Sequence, residues 1–125
     1  MEYPNKNLPD HLPFIELINH SNDGVHIINE KGRFVYVNDI VCTRFGITKE
    51  EFLKTDIWEI EAIFEKNPAK WLEHVSHLKE HKSMILGGKH ITPNGDEITV
   101  EVSIKYVEWN NEGYVVAFTR DISER

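Results

Sequence analysis

The run Tyr114-Val115-Val116-Ala117-Phe118 is apolar at five successive positions, so a strand built from it presents hydrocarbon on both faces and needs cover on both. Such a strand belongs inside a sheet, with something packed on each side. The segments before it show the complementary pattern. After Lys82 the sequence leaves helical spacing for alternation, and strands over residues 83–92 and 97–109 flank Pro93-Asn94-Gly95-Asp96, where Asn-Gly favours a tight hairpin. In the second of these strands Ile98, Val100, Val102, Ile104 and Tyr106 share one face, while Thr99, Glu101, Ser103 and Lys105 share the other. One face is buried and the other wet. A turn over residues 110–113 leads into the final strand.

The N-terminal half reads as short elements. Residues 1–13 carry Pro4, Pro9 and Pro13 and form an irregular lead-in, after which Phe14, Leu17 and Ile18 make an apolar stripe on an N-terminal helix. The polar stretch 19–24 ends that helix. Residues 25–37 form a β-hairpin around Glu30-Lys31-Gly32, the glycine supplying the positive φ of a tight turn. Asn38 caps a helix that Gly46 stops, and Thr48 with Glu51 has capping-box spacing. Asn67 and Pro68 open a longer helix to about residue 81, whose buried stripe is Trp71, Val75 and Leu78. Two strands, several short helices, a longer helix and three antiparallel strands give an α+β domain with helices on one face of a five-stranded sheet.

Composition excludes several function classes. Against 14 Lys+Arg stand 21 Asp+Glu, a formal charge of −7 with no basic block, which repels phosphate backbones and anionic lipid surfaces. Nucleic acid is not an expected partner. The longest apolar run, five residues, falls far short of the roughly 20 that span a bilayer, so no membrane insertion by this chain is expected. Met1 to Lys6 lacks a secretory pattern, and the single cysteine, Cys42, cannot form an internal disulfide; a reducing, cytoplasmic compartment is expected.

The segments DGVHIINEKGRFVYVN, the Phe45-Gly46 step, PNGDEITVEVSI and the closing FTRDISER, in this order and spacing, resemble a PAS domain, the sensory module of many bacterial and archaeal signalling proteins. The resemblance runs from about Asn22 to Arg125 and divides the chain into a lead-in and helix, 1–21, and a PAS sensory domain, 22–125. Ser123 replaces the threonine of the family's closing motif, and Thr55 stands near a usual glycine. The resemblance implies the sheet order 2-1-5-4-3, which suits a last strand apolar on both faces. It also implies that the N-terminal helix packs on the outer sheet face and against the same helix of a second subunit, a homodimer in which Phe14, Leu17 and Ile18 meet Tyr114, Val116 and Phe118. It further implies that Asp121 and Ser123 lead into a signalling helix, with Ser123 as its cap and a C-terminal output domain beyond, most often a histidine kinase, with a diguanylate cyclase or transcriptional regulator next.

Within the domain, the inner sheet face and the helices enclose an apolar core with a candidate small-ligand cavity lined by Val41, Phe45, Met84, Leu86, Val102, Ile104 and Ala117. Three other features have a plainer reading beside the chemical one. His74, His77 and His81 share one side of the long helix, and His77 and His81 have the i, i+4 spacing of zinc ligands, but a solvated helix face is favoured over a metal site. Haem is not favoured, because these histidines lie late on the helix; flavin is not favoured, because Cys42 lies in the first helix after the hairpin rather than in an Asn-Cys-Arg-Phe segment. Cys42 is expected as a small buried thiol. His26 is either a satisfied sheet histidine or a polar group in the pocket, Gly87-Gly88 marks a bulge or a close backbone approach, and the acidic residues of 50–65, Glu61 among them, form a solvated face. No catalytic constellation is readable. The expected function is therefore sensing and dimerisation; the alternatives are a ligand-free interaction domain with a fully packed core and, third, a metal-dependent enzyme on the histidine face.

Overall fold

The computed structural model describes residues 23–123. The N-terminal helix and its stripe Phe14, Leu17 and Ile18 lie outside the described residues. Strands β1 (Gly24–Asn29) and β2 (Phe34–Val37) form the first hairpin, followed by helices α1 (Asp39–Phe45) and α2 (Lys49–Phe52). Two 3-10 turns, Ile57–Glu59 and Ala62–Phe64, precede the long helix α3 (Pro68–His81). Strands β3 (Ser83–Ile91), β4 (Glu97–Trp109) and β5 (Glu112–Asp121) close the domain. The sheet order is β2-β1-β5-β4-β3, all pairs antiparallel, as the family resemblance implied.

Local chemistry sets most boundaries. Gly32 has φ +95 in the first hairpin turn, and Gly46 ends α1 in the left-handed region. Thr48 and Glu51 form a reciprocal capping box on α2, and Asn67 accepts from Ala69 N at the start of α3 with Pro68 as its first residue. The β4–β5 turn is tighter than the sequence reading of 110–113. Trp109 pairs with Glu112, and only Asn110 (φ 51) and Asn111 (φ 64) make the loop. Asparagine tolerates the two positive φ values that a type I′ turn requires, and its backbone twist matches the strands it joins.

The inner face of the sheet carries the main core. Ile28, Phe34, Val100, Val102, Ile104, Val115 and Ala117 pack against Val41 and Phe45 of α1, Phe52 of α2, Ile57, Ile60 and Phe64 of the 3-10 region, and Trp71, Val75 and Leu78 of α3. The outer face carries a second buried cluster, Val25, Ile27, Val35, Tyr36, Tyr114 and Val116. Strand β5 contributes alternate residues to each, Val115 and Ala117 inward and Tyr114 and Val116 outward, which meets its demand for two-sided cover. Among the described residues no helix is long and apolar enough to cross a membrane.

Two polar knots fix the layers. Glu30, in the first hairpin turn, accepts from Trp71 Nε1 on its carbonyl (2.8 Å) and from Tyr106 on Oε2 (2.7 Å), and pairs through Oε1 with Lys79 (2.7 Å). Helix α3 is thereby tied to β1 and β4 at one point. The bond from Lys79, with Tyr106 adding, holds the Glu30 carboxyl below its ordinary range despite partial burial. Asn38 does the corresponding work for α1. Its Oδ1 accepts from Val25 N (3.1 Å) and Val41 N (3.3 Å), and its Nδ2 donates to the Asp23 carbonyl (2.9 Å). One side chain thus caps α1 and secures the start of β1.

Removing these bonds strands buried backbone groups, so Asn38→Ala is expected to destabilise the domain by about 2–3 kcal/mol in urea unfolding. Asn38→Asp, which keeps the acceptor, is expected to lose less. A loss within about 0.5 kcal/mol for the alanine variant would mean that Asn38 does not couple the two elements.

Candidate functional site

Between the inner sheet face and the helices lies a cavity of about 30 Å³. That volume holds one or two waters, or a ligand of a few heavy atoms. Four of the seven sequence candidates line it: Leu86, Val102, Ile104 and Ala117. Val41, Phe45 and Met84 belong to the same core and pack away from the cavity. The remaining apolar wall comes from Ile28, Ile57, Phe64, Trp71 and Val115, while Ile63, 49% exposed, and half-buried His74 stand at its solvent side.

The polar lining was mostly missed by the sequence reading. His26, His90 and Thr119 face the cavity from β1, β3 and β5, and Glu61 enters from the turn between the two 3-10 segments. Glu61 is 8% exposed, so the expectation of a solvated acidic face fails for this residue. The cause is backbone pairing. Glu61 bridges His90 in antiparallel fashion, and Ile91 N donates to the Ile60 carbonyl (2.9 Å), which pulls the segment against the edge of β3. The His90 side chain then donates from Nε2 to Glu61 Oε2 at 2.8 Å.

Gly88 makes this approach sterically open. A Cβ built there would lie 3.0 Å from Glu61 Oε1, closer than side chains normally tolerate. Gly88 is therefore a close-approach site, while a Cβ at Gly87 would meet nothing within 4 Å, and the pair is not a bulge, since the β3–β4 register runs unbroken from Ser83↔Lys105 to Ile91↔Glu97. The retrospective signal for Glu61 is its setting, with Ile60, Ala62, Ile63 and Phe64 around it and a glycine pair on the strand to come.

His26 resolves toward the pocket reading. It is 1% exposed, its ring lies against Phe34 (centroids 5.4 Å) and His90 (5.6 Å), and its Nε2 has no hydrogen-bond partner among the described residues. Burial first, then His90 and Arg44, hold its imidazole well below the ordinary value of 6.5. Glu61 Oε1 is likewise buried and unpartnered among the described residues.

The site connects to the end of the chain through Thr119. Arg44 Nη1 donates to the Thr119 carbonyl (3.0 Å) and hydroxyl (3.1 Å), and that hydroxyl donates to the Gly24 carbonyl (3.3 Å). Two residues later Asp121 Oδ1 accepts from Ser123 N (2.9 Å), which with the Ser123 hydroxyl holds the Asp121 carboxyl below its ordinary range. Ser123 Oγ accepts from Thr99 N (3.1 Å), so in this arrangement it fastens the chain to the start of β4.

The weak metal candidates behave as helix-surface groups. His77 and His81 stack at 4.0 Å, and His81 Nδ1 donates to the His77 carbonyl (3.0 Å). Among the described residues no group of three or more His, Cys, Asp or Glu is disposed to hold a metal ion. Cys42 is partly exposed on α1 and not fully buried as expected, and its partial burial raises its thiol pKa, away from a reactive thiolate.

Because the folded state disfavours protonated His26, the unfolded chain binds more protons below about pH 6.5. His74, depressed by burial and by His77, acts in the same direction. Stability is therefore expected to be full above pH 6.5 and to fall as the pH drops toward 5, before Glu30 and Asp121 titrate at lower pH. Urea midpoints measured across pH 5–7.5 should show this slope, and His26→Phe should flatten it. An unchanged slope in that variant would remove His26 as its source.

The sequence profile of the PAS domain family matches residues 22–124. The methyl sulfide methyltransferase-associated sensor of Methanosarcina acetivorans is 28% identical over 113 residues, which are 90% of this chain and 11% of that protein. This chain thus spans about a tenth of the curated relative's length. The PAS domain of an HTR-like protein from Haloarcula marismortui superposes with a TM-score of 0.75 at 24% identity, over 85% of this chain and 86% of that one. A domain of the sensory box sensor histidine kinase/response regulator from Geobacter sulfurreducens gives 0.65 at 26% identity, over 82% and 85%. With the profile covering all but the lead-in and the last residue, and the strand order already in hand, this chain belongs to the PAS domain family.

Proposed function

We propose that this PAS domain is the sensing module of a larger signalling protein and that it binds a small ligand in its core cavity. The observation that carries this reading is the cavity itself: His26 and Glu61, each with one buried polar atom that has no protein partner among the described residues, line a largely apolar space against the sheet. A dry, fully packed core leaves such atoms uncompensated, whereas a water or a ligand group held in the cavity supplies their partner. Ligand occupancy would shift the packing between the helices and β1, β3 and β5, and the shift would leave the domain through Thr119, Asp121 and Ser123 toward a C-terminal output domain. The likeness to a sensor and to a sensor histidine kinase domain supports a histidine kinase as that output, working in the reducing interior of the cell. The chain would act as a homodimer through Phe14, Leu17 and Ile18 against the outer face of the sheet, and as a sensor it would itself catalyse no reaction.

Native mass spectrometry of freshly purified protein is expected to show a dimer with retained small-molecule mass, or an added mass on incubation with a metabolite extract. Light scattering is expected to show the dimer revert to monomer in Leu17→Glu. A dimer that never carries added mass would instead favour the interaction-domain reading, and a monomer at high protein concentration would overturn the proposed interface.

A further inference from the structure

We infer that the cavity selects a small uncharged molecule with an N–H or O–H donor, of the amide or alcohol class, read by Glu61 Oε1 and His26 Nε2. This rests on the ligand-binding reading above and narrows it to a chemical class.

The donor requirement comes from Glu61. Its Oε2 is already occupied by His90 Nε2 at 2.8 Å, while Oε1 is buried and has no protein donor among the described residues. A ligand that satisfies Oε1 has to bring a hydrogen. His26 adds the second contact. Its burial keeps the ring neutral, and a neutral Nε2 is a donor in one tautomer and an acceptor in the other. An amide or an alcohol carries both complements; a hydrocarbon or a thioether carries no donor.

The surroundings disfavour a charged ligand. An anion would meet the Glu61 carboxyl at close range, with no lysine or arginine among the described residues of the cavity wall to offset it. A cation would gain the free oxygen of a carboxyl group already bonded to His90, but it would have to shed its water against Ile28, Leu86, Val102, Ile104 and Ala117 with the Arg44 charge held beside the wall at Thr119, a cost that a neutral donor avoids. The volume of about 30 Å³ limits the bound part to a few heavy atoms, with Ile63 and His74 at the solvent side. Gly88 completes the site, because it leaves the Glu61 carboxyl room to lie over β3.

Three planar molecules of nearly one shape separate these terms: acetamide, acetate and acetamidinium. Methyl resonances of Ile28, Val115 and Ala117 in the 125-residue chain report binding, and xenon serves as a probe of the cavity that makes no hydrogen bonds. Acetamide is expected to shift these resonances saturably, acetate and acetamidinium to do so at least about tenfold more weakly, and Glu61→Leu to weaken acetamide about tenfold while xenon still binds. His26→Phe, which preserves an aromatic ring, provides a second test and should also weaken acetamide. Equal binding of acetamide and acetate, tighter binding of acetamidinium, or acetamide binding unaffected in both variants would overturn the selectivity, and xenon binding alongside would leave the cavity reading standing. If neither xenon nor acetamide perturbs the lining methyls, both readings fall.

Discussion

The pairing of β1 with β5 is the constraint on which the rest of this domain depends. It joins Gly24 to Thr119 and Asn29 to Tyr114, nearly the full length of the domain apart in sequence, and it places the one run that is apolar on both faces at the centre of the sheet. Closing so long a loop costs chain entropy that only burial on both sides offsets. Once β5 is central, β1–β2 and β4–β3 extend to either side as local hairpins, and everything between Val37 and Ser83 has to pass over a single face. The cavity lies under that crossing, where short helices and 3-10 turns cannot tile a twisted sheet as densely as strands tile each other.

Much of this architecture was legible because it is local. Asn38, Gly46, Thr48, Glu51, Asn67 and Pro68 each act through the backbone within four residues, and their spacing gives the helix ends directly. The inward set of β4 follows from a period of two. The strand order came from the family resemblance, since alternation cannot say which strand neighbours which. The site was less legible. Leu86, Val102, Ile104 and Ala117 were found as inward sheet residues, but Val41, Phe45 and Met84 share that character and pack elsewhere, because periodicity gives a face and not a depth. Glu61 was misread because an acidic residue among acidic neighbours looks solvated, and its burial depends on a bridge to His90 some thirty residues later.

The polar lining of the cavity is costly to fold. A buried His26 held neutral and a buried carboxyl with one oxygen unpartnered among the described residues both work against stability, as polar groups commonly do where a fold carries function. The surrounding structure compensates through two polar attachments: the Glu30 knot on α3, which also fixes the cavity-lining Trp71, and the Asn38 knot on α1. Arg44 is different. It clasps Thr119, which borders the cavity, two residues before the strand ends, so the inner site and the departing chain share one hydrogen-bonded residue.

Among the described residues strand β3 is the rim of the sheet, paired on one side with β4, and an unpaired rim invites another molecule to add itself as a further strand. The segment carrying Glu61 shields part of that rim by bridging His90 and taking the Ile91 amide. The margin of the sheet is therefore guarded by the backbone of the same segment whose Glu61 side chain lines the cavity, so a change that reshapes the cavity here also bears on how that edge is protected.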